Sequence, residues 1–144
     1  MPAPLSRIRL ALVVLAVPSL LTGLWGLLAP RSWYDDFPGT DLGWVSAFGS
    51  YNEHFVQDIG SAYLGFGTLL AWAAWRTTRS LARGAAIGYL VFATPHLLVH
   101  IFVRETLDTT AYIGTVAPLL FSVLLAAWVA VRAGEDRAVN PANR

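Results

Sequence analysis

Apolar residues fill four long blocks of the chain, and the polar positions gather between them. A helix needs about 20 mostly apolar residues to cross the hydrocarbon layer of a bilayer. Residues 8–29, 51–75, 81–103 and 110–131 meet that length. Pro18, Pro95 and Pro118 fall inside three of the blocks, which membrane helices tolerate because neighbouring groups take up the freed carbonyls. The first block follows Arg7 and Arg9, as the apolar core of a signal peptide would. It runs on to Leu28, however, and ends in GLLAP, a poor cleavage site, so it reads as a retained helix. The pattern predicts an all-α protein: a four-transmembrane-helix bundle over residues 1–134, followed by a disordered tail over 135–144, EDRAVNPANR.

Charge orients that bundle. Arg7, Arg9, Arg76, Arg79, Arg83, Arg132, Arg137 and Arg144 fall on one side of the four blocks, and only Arg31 and Arg104 on the other. Positive residues concentrate on the cytoplasmic side. The expectation is therefore a multi-pass protein of the cell membrane with both termini cytoplasmic. The segments 30–50 and 104–109 then face outward, carrying Asp35, Asp36, Asp41, Glu105 and Asp108.

Composition narrows the chemistry. Of the 144 residues, 56% are hydrophobic and 13% charged, the latter about half the share usual in a soluble domain. There is no cysteine, which excludes disulfides, thiolate metal sites and thiol nucleophiles. The net charge is +1 and the arginines form no stripe interleaved with aromatics, so no nucleic-acid partner is expected. The bilayer is the expected environment, with a homo-oligomer or a partner membrane subunit as the further contacts. Phosphate loops, dinucleotide fingerprints, serine elbows and HExxH are all missing from the sequence.

Against this apolar background the stretch YNEHFVQDIG, residues 51–60, is conspicuous. His54 and Asp58 are four apart and share a helix face. His96, His100 and Arg104 follow at four-residue steps on the third block. Reflection about the connection near Arg79 brings Asp58 level with His100, so all three histidines reach one depth. Ionisable groups inside a span are costly and mark function by default, although hydrogen-bond glue between helices is the competing explanation. The expected site is His54, Asp58, His96 and His100, with Glu53 and Arg104 as supporting groups at its rim and Asp58 and His54 as the catalytic candidates.

Three chemistries fit that set. Three imidazoles and a carboxylate suit a divalent first-row metal, zinc, iron, manganese or nickel. An Asp–His pair suits a proton relay or general acid–base work near neutrality. Haem between facing histidines fits less well, because a second histidine at i+4 has no role there. The corresponding functions are a metal- or proton-handling membrane site acting on a lipophilic small molecule, a non-catalytic accessory or assembly subunit, or a small oligomeric transporter.

The aromatic-rich segment 30–50, with Trp33, Tyr34, Phe37, Trp44 and Phe48, reads as an aromatic belt at headgroup level or as a flap over the outer end of the bundle. Gly84 with Gly88, and Ser61 with Gly65, are small-xxx-small pairs of the kind that let membrane helices approach closely.

The blocks APRSWYDDFPG, YNEHFVQDIG and FATPHLLVH resemble those of a family of small bacterial four-helix integral membrane proteins. The likeness covers most of residues 20–103, through the NEHxxxD and PHxxxH patterns. It implies a four-helix membrane fold and no particular activity. A looser similarity to DoxX-like four-helix membrane proteins rests on length and topology alone.

Overall fold

The computed structural model describes residues 3–39, 42–102 and 107–135. These form five α-helices: α1 (Leu5–Leu28), α2 (Pro30–Asp36), α3 (Glu53–Arg76), α4 (Arg79–Phe102) and α5 (Thr109–Arg132), with a short 3₁₀ turn at Ser46–Phe48. No strand occurs among the described residues. Arg104 and residues 136–144, most of the expected tail, lie outside them.

The expected four-transmembrane-helix bundle is corrected on two counts. The described residues form five α-helices, because Pro30 at the first helical position opens the extra helix α2. Of the four long helices, α1, α4 and α5 are long and apolar enough to cross a membrane, and α3 is not. Its shortfall is compositional: Glu53, His54, Gln57 and Asp58 occupy its first turns. Gly60, Gly65 and Gly67, with Tyr63, Trp72 and Trp75, then take positions that leucine, isoleucine and valine fill elsewhere.

Side-chain caps set the starts of two helices. The Asn52 side chain accepts a hydrogen bond from the Phe55 amide at 3.1 Å at the start of α3, and Asp108 accepts from the Ala111 amide at 2.9 Å at the start of α5. α3 ends at Thr77, in a left-handed conformation with φ 44°.

α1 and α3 form the most extensive helix pair and run antiparallel; α4 and α5 form the next, and α3–α4 and α1–α5 contacts close the arrangement. Glycine makes the α1–α3 approach close. A Cβ added at Gly23 would sit 2.5 Å from the Leu64 nitrogen, one at Gly60 2.7 Å from the Leu27 nitrogen, and one at Gly67 2.8 Å from the Leu20 nitrogen. The small-xxx-small pairs marked in the sequence are not this seam: a Cβ at Gly65 or Gly84 meets nothing within 4 Å.

The core lies towards the arginine-bearing end, where Ile8, Leu12, Leu15, Leu70, Ala82, Ala86, Ala126 and Val129 are buried together. Arg79 ties that end: its guanidinium donates to the Arg132 carbonyl at 3.0 Å and to the Ala3 carbonyl at 2.8 Å. Outside the core, α1 exposes Leu10, Val17 and Leu21, α4 exposes Val91, Val99 and Phe102, and α5 exposes Phe121 and Leu124. An apolar exterior of this extent matches a hydrocarbon surround rather than water.

Candidate functional site

The sequence placed two polar pairs at one depth, and the structure separates them by rotation. His54 and Asp58 are within 3.5 Å of each other, with their side chains 86% and 64% exposed. The side of α3 turned to α4 carries Tyr63, whose hydroxyl lies 3.2 Å from Nε2 of His96. At about 100° per residue, Tyr63 is about 180° around α3 from His54 and about 140° from Asp58. The expected His54, Asp58, His96 and His100 constellation is therefore not assembled. Among the described residues, no group of three or more His, Cys, Asp or Glu side chains is placed to hold a metal ion.

His96 and His100 do meet, as successive residues of one helical stripe. Their ring centroids are 4.8 Å apart. They belong to a continuous run of rings along the α3–α4 seam. Phe48 stands edge-on to His100 at 5.2 Å, and His96 stacks on Phe92 at 5.6 Å. Phe92 stacks on Phe66 at 5.0 Å and meets Tyr63 edge-on at 5.1 Å, while Phe66 contacts Tyr89 at 6.3 Å. Offset and edge-to-face contacts of this kind fix ring orientation, each at about 0.5–1.5 kcal/mol beyond area burial.

Polar satisfaction along the run is uneven. The Tyr63 hydroxyl and His96 Nε2 satisfy each other. Nδ1 of His100 is buried and has no hydrogen-bond partner among the described residues. A buried ring nitrogen without a partner costs free energy, so the seam holds one unspent hydrogen-bonding position next to a phenol–imidazole pair.

The segment after α2 covers this end. Phe48 lies on His100, and the indole of Trp44 fills the space over Gly114 of α5, where an added Cβ would overlap it. The Trp44 amide bonds the Phe37 carbonyl at 3.0 Å, and the Tyr34 hydroxyl donates to the Gly49 carbonyl. Arg31 sits 4.9 Å from the Tyr51 ring centroid and pairs with Asp35 at 2.7 Å. The Asp35 hydrogen bond, then its charge, raises the Arg31 pKa above the ordinary value. Of the two readings of the 30–50 segment, the flap matches these contacts. Glu53, expected as a supporting group, is exposed in the first turn of α3.

Sequence reasoning missed Tyr63 and Phe48. The signal for Tyr63 was available: reflection about the α3–α4 connection puts it within a turn of His96, and a tyrosine hydroxyl in an apolar segment needs a partner. Phe48 carried none, because its position depends on how the flap folds.

The chain matches no protein-family model, and no curated protein or solved structure matches it.

Proposed function

We propose that this is a proton-handling membrane protein whose working groups are Tyr63, His96 and His100, acting on a lipophilic small molecule that carries a hydrogen-bonding head. The observation that carries the reading is the 3.2 Å contact between the Tyr63 hydroxyl and His96 Nε2, with His100 packed against His96 and its own Nδ1 unpaired among the described residues. When Tyr63 donates to Nε2, His96 keeps its proton on Nδ1; when His96 carries a proton on Nε2, it donates to the phenol oxygen. Passage of one proton through the pair balances when the phenol proton moves to Nε2, Nδ1 of His96 gives up its own proton to an acceptor, and the phenol oxygen takes a proton back from the ligand or solvent, the Tyr63–His96 hydrogen bond being kept throughout. The unpaired His100 nitrogen supplies the position at which a hydroxyl or carbonyl of the ligand would bond. Phe48 and the apolar walls of the seam exclude water from that position, which strengthens every electrostatic contact made there.

The test uses a lipophilic phenol, 1-naphthol, as probe. Binding to purified protein in lightly buffered detergent is followed by calorimetry, with an indicator dye reporting protons taken up or released. Wild type is expected to bind with a proton change, and His96→Ala and His100→Ala to lose it. A wild type that does not bind the probe, or a His96→Ala variant with an unchanged proton signal, refutes the reading.

We further propose that the arginine-bearing end faces the cytoplasm of a cell membrane. Arg7, Arg9, Arg76, Arg79, Arg83 and Arg132 support this, being carried at the ends of α1, α3, α4 and α5 that Arg79 ties together. A cysteine at Ser50 should then react with an impermeant thiol reagent outside intact cells, and one at Ser80 should not; the opposite pattern reverses the orientation.

A further inference from the structure

The His54–Asp58 pair, unused by the seam, begins a longer pattern. Seven exposed positions of α3 follow one another at steps of four and three: His54, Asp58, Ser61, Gly65, Thr68, Trp72 and Trp75. This is the spacing of a helix–helix seam with a left-handed crossing. None of the seven sits in the protomer's core. The His54 side chain is 86% exposed and Trp75 is 71% exposed. Gly65, at the centre, has no neighbour in its own chain that would require a glycine.

α3 lies along α1, a helix apolar enough to cross a membrane. The stripe is therefore carried beside an apolar exterior while presenting an imidazole, a carboxylate, two hydroxyls and a bare backbone. Such groups are poorly matched to lipid. The exposed faces of α1, α4 and α5, by contrast, are leucine, valine and phenylalanine. One face of one helix is unfit for the surroundings that suit the rest.

We propose that this face of α3 is the contact with a second copy of the chain, about a two-fold axis parallel to the helices. One observation favours a second copy over an unrelated subunit: the polar end is self-complementary. His54 and Asp58 occupy adjacent layers, so about a two-fold axis each His54 comes within reach of the partner's Asp58. Gly65, flanked by Ser61 and Thr68, lets the two backbones close together at the centre.

The chain has no cysteine, so single-cysteine variants give a clean readout in native membranes. Ser61→Cys and Thr68→Cys should form disulfide-linked dimers on mild oxidation. Val91→Cys, on the lipid-facing side of α4 and 72% exposed, should not. Separately, Gly65→Leu should convert the detergent-solubilised dimer to monomer. Gly84→Leu should leave it dimeric, because a Cβ at Gly84 also meets nothing within 4 Å but lies on another helix. Cross-linking of Val91→Cys as strong as that of Thr68→Cys overturns the proposal. So does a monomeric wild type, a dimer unaffected by Gly65→Leu, or a Thr68→Cys product whose mass shows a different partner chain.

Discussion

Replacing Gly60 by alanine tests the α1–α3 seam. The added Cβ would lie 2.7 Å from the Leu27 nitrogen, 2.9 Å from the Gly26 carbonyl carbon and 3.1 Å from the Gly23 oxygen. Ordinary contact begins near 3.4 Å, so the closest approach is about 0.7 Å short. All three obstacles are backbone atoms, and none can rotate away, so the two helices must move apart locally. A gap of 0.5–1 Å forfeits roughly a quarter to a half of each van der Waals well along the loosened stretch. Overpacking of this kind costs about 1–3 kcal/mol, and the rigid obstacles put Gly60 at the upper end. The better helix propensity of alanine returns about 0.5–1 kcal/mol, leaving a net loss of about 2 kcal/mol. At Gly84, where the Cβ meets nothing within 4 Å, only the propensity gain applies, and Gly84→Ala should be neutral or stabilised by up to about 1 kcal/mol. Unfolding of detergent-solubilised protein by titrated SDS, followed by far-UV circular dichroism, measures both. Gly23→Ala combined with Gly60→Ala should cost less than the two separately, because the first separation relieves part of the second clash. A Gly60→Ala protein as stable as wild type, or a Gly84→Ala protein destabilised to the same degree, would refute the packing argument.

Other changes probe the seam and its surroundings. Tyr63→Phe removes the partner of His96 Nε2 and should shift the ¹⁵N resonance of that nitrogen while leaving His54 unchanged; an unaltered His96 spectrum would mean the phenol–imidazole contact is not made. Phe48→Ala should raise the rate at which His100 is carbethoxylated by diethylpyrocarbonate, read by peptide mass, with no change at the already exposed His54. Arg79→Gln removes charged donors from the carbonyls of Arg132 and Ala3, bonds worth about 1.5–3 kcal/mol each when the donor is charged. A stability loss of at least about 2 kcal/mol is expected in the same SDS titration.

The four long helices were legible in the chain because helical length and patterning are local properties, and the observed boundaries depart from the expected ones by one to three residues, although α3 falls short of the apolarity expected of it and α2 was not foreseen. Depth along the α3–α4 hairpin was legible too: a tight connection at residues 77–78 fixes the register, so His96 was expected two or three residues from the level at which it meets Tyr63. Rotation about the helix axis was not legible. The sequence shows that His54 and Asp58 share a face, but which face meets α4 is decided by where α1 docks. That docking follows the glycines at 23, 26, 60 and 67, whose missing side chains admit the neighbouring backbone. Once α1 occupies the Gly60–Gly67 side of α3, the side turned to α4 carries Tyr63 and Phe66, and the histidine–aspartate pair points away. The flap is a second case. Its aromatics announced an interfacial segment, but only the folded path through the Trp44–Phe37 hydrogen bond sets Phe48 over His100. Local composition determined which segments are helical and apolar; the packing of backbone against glycine, which no single segment encodes, decided which of the polar side chains face each other.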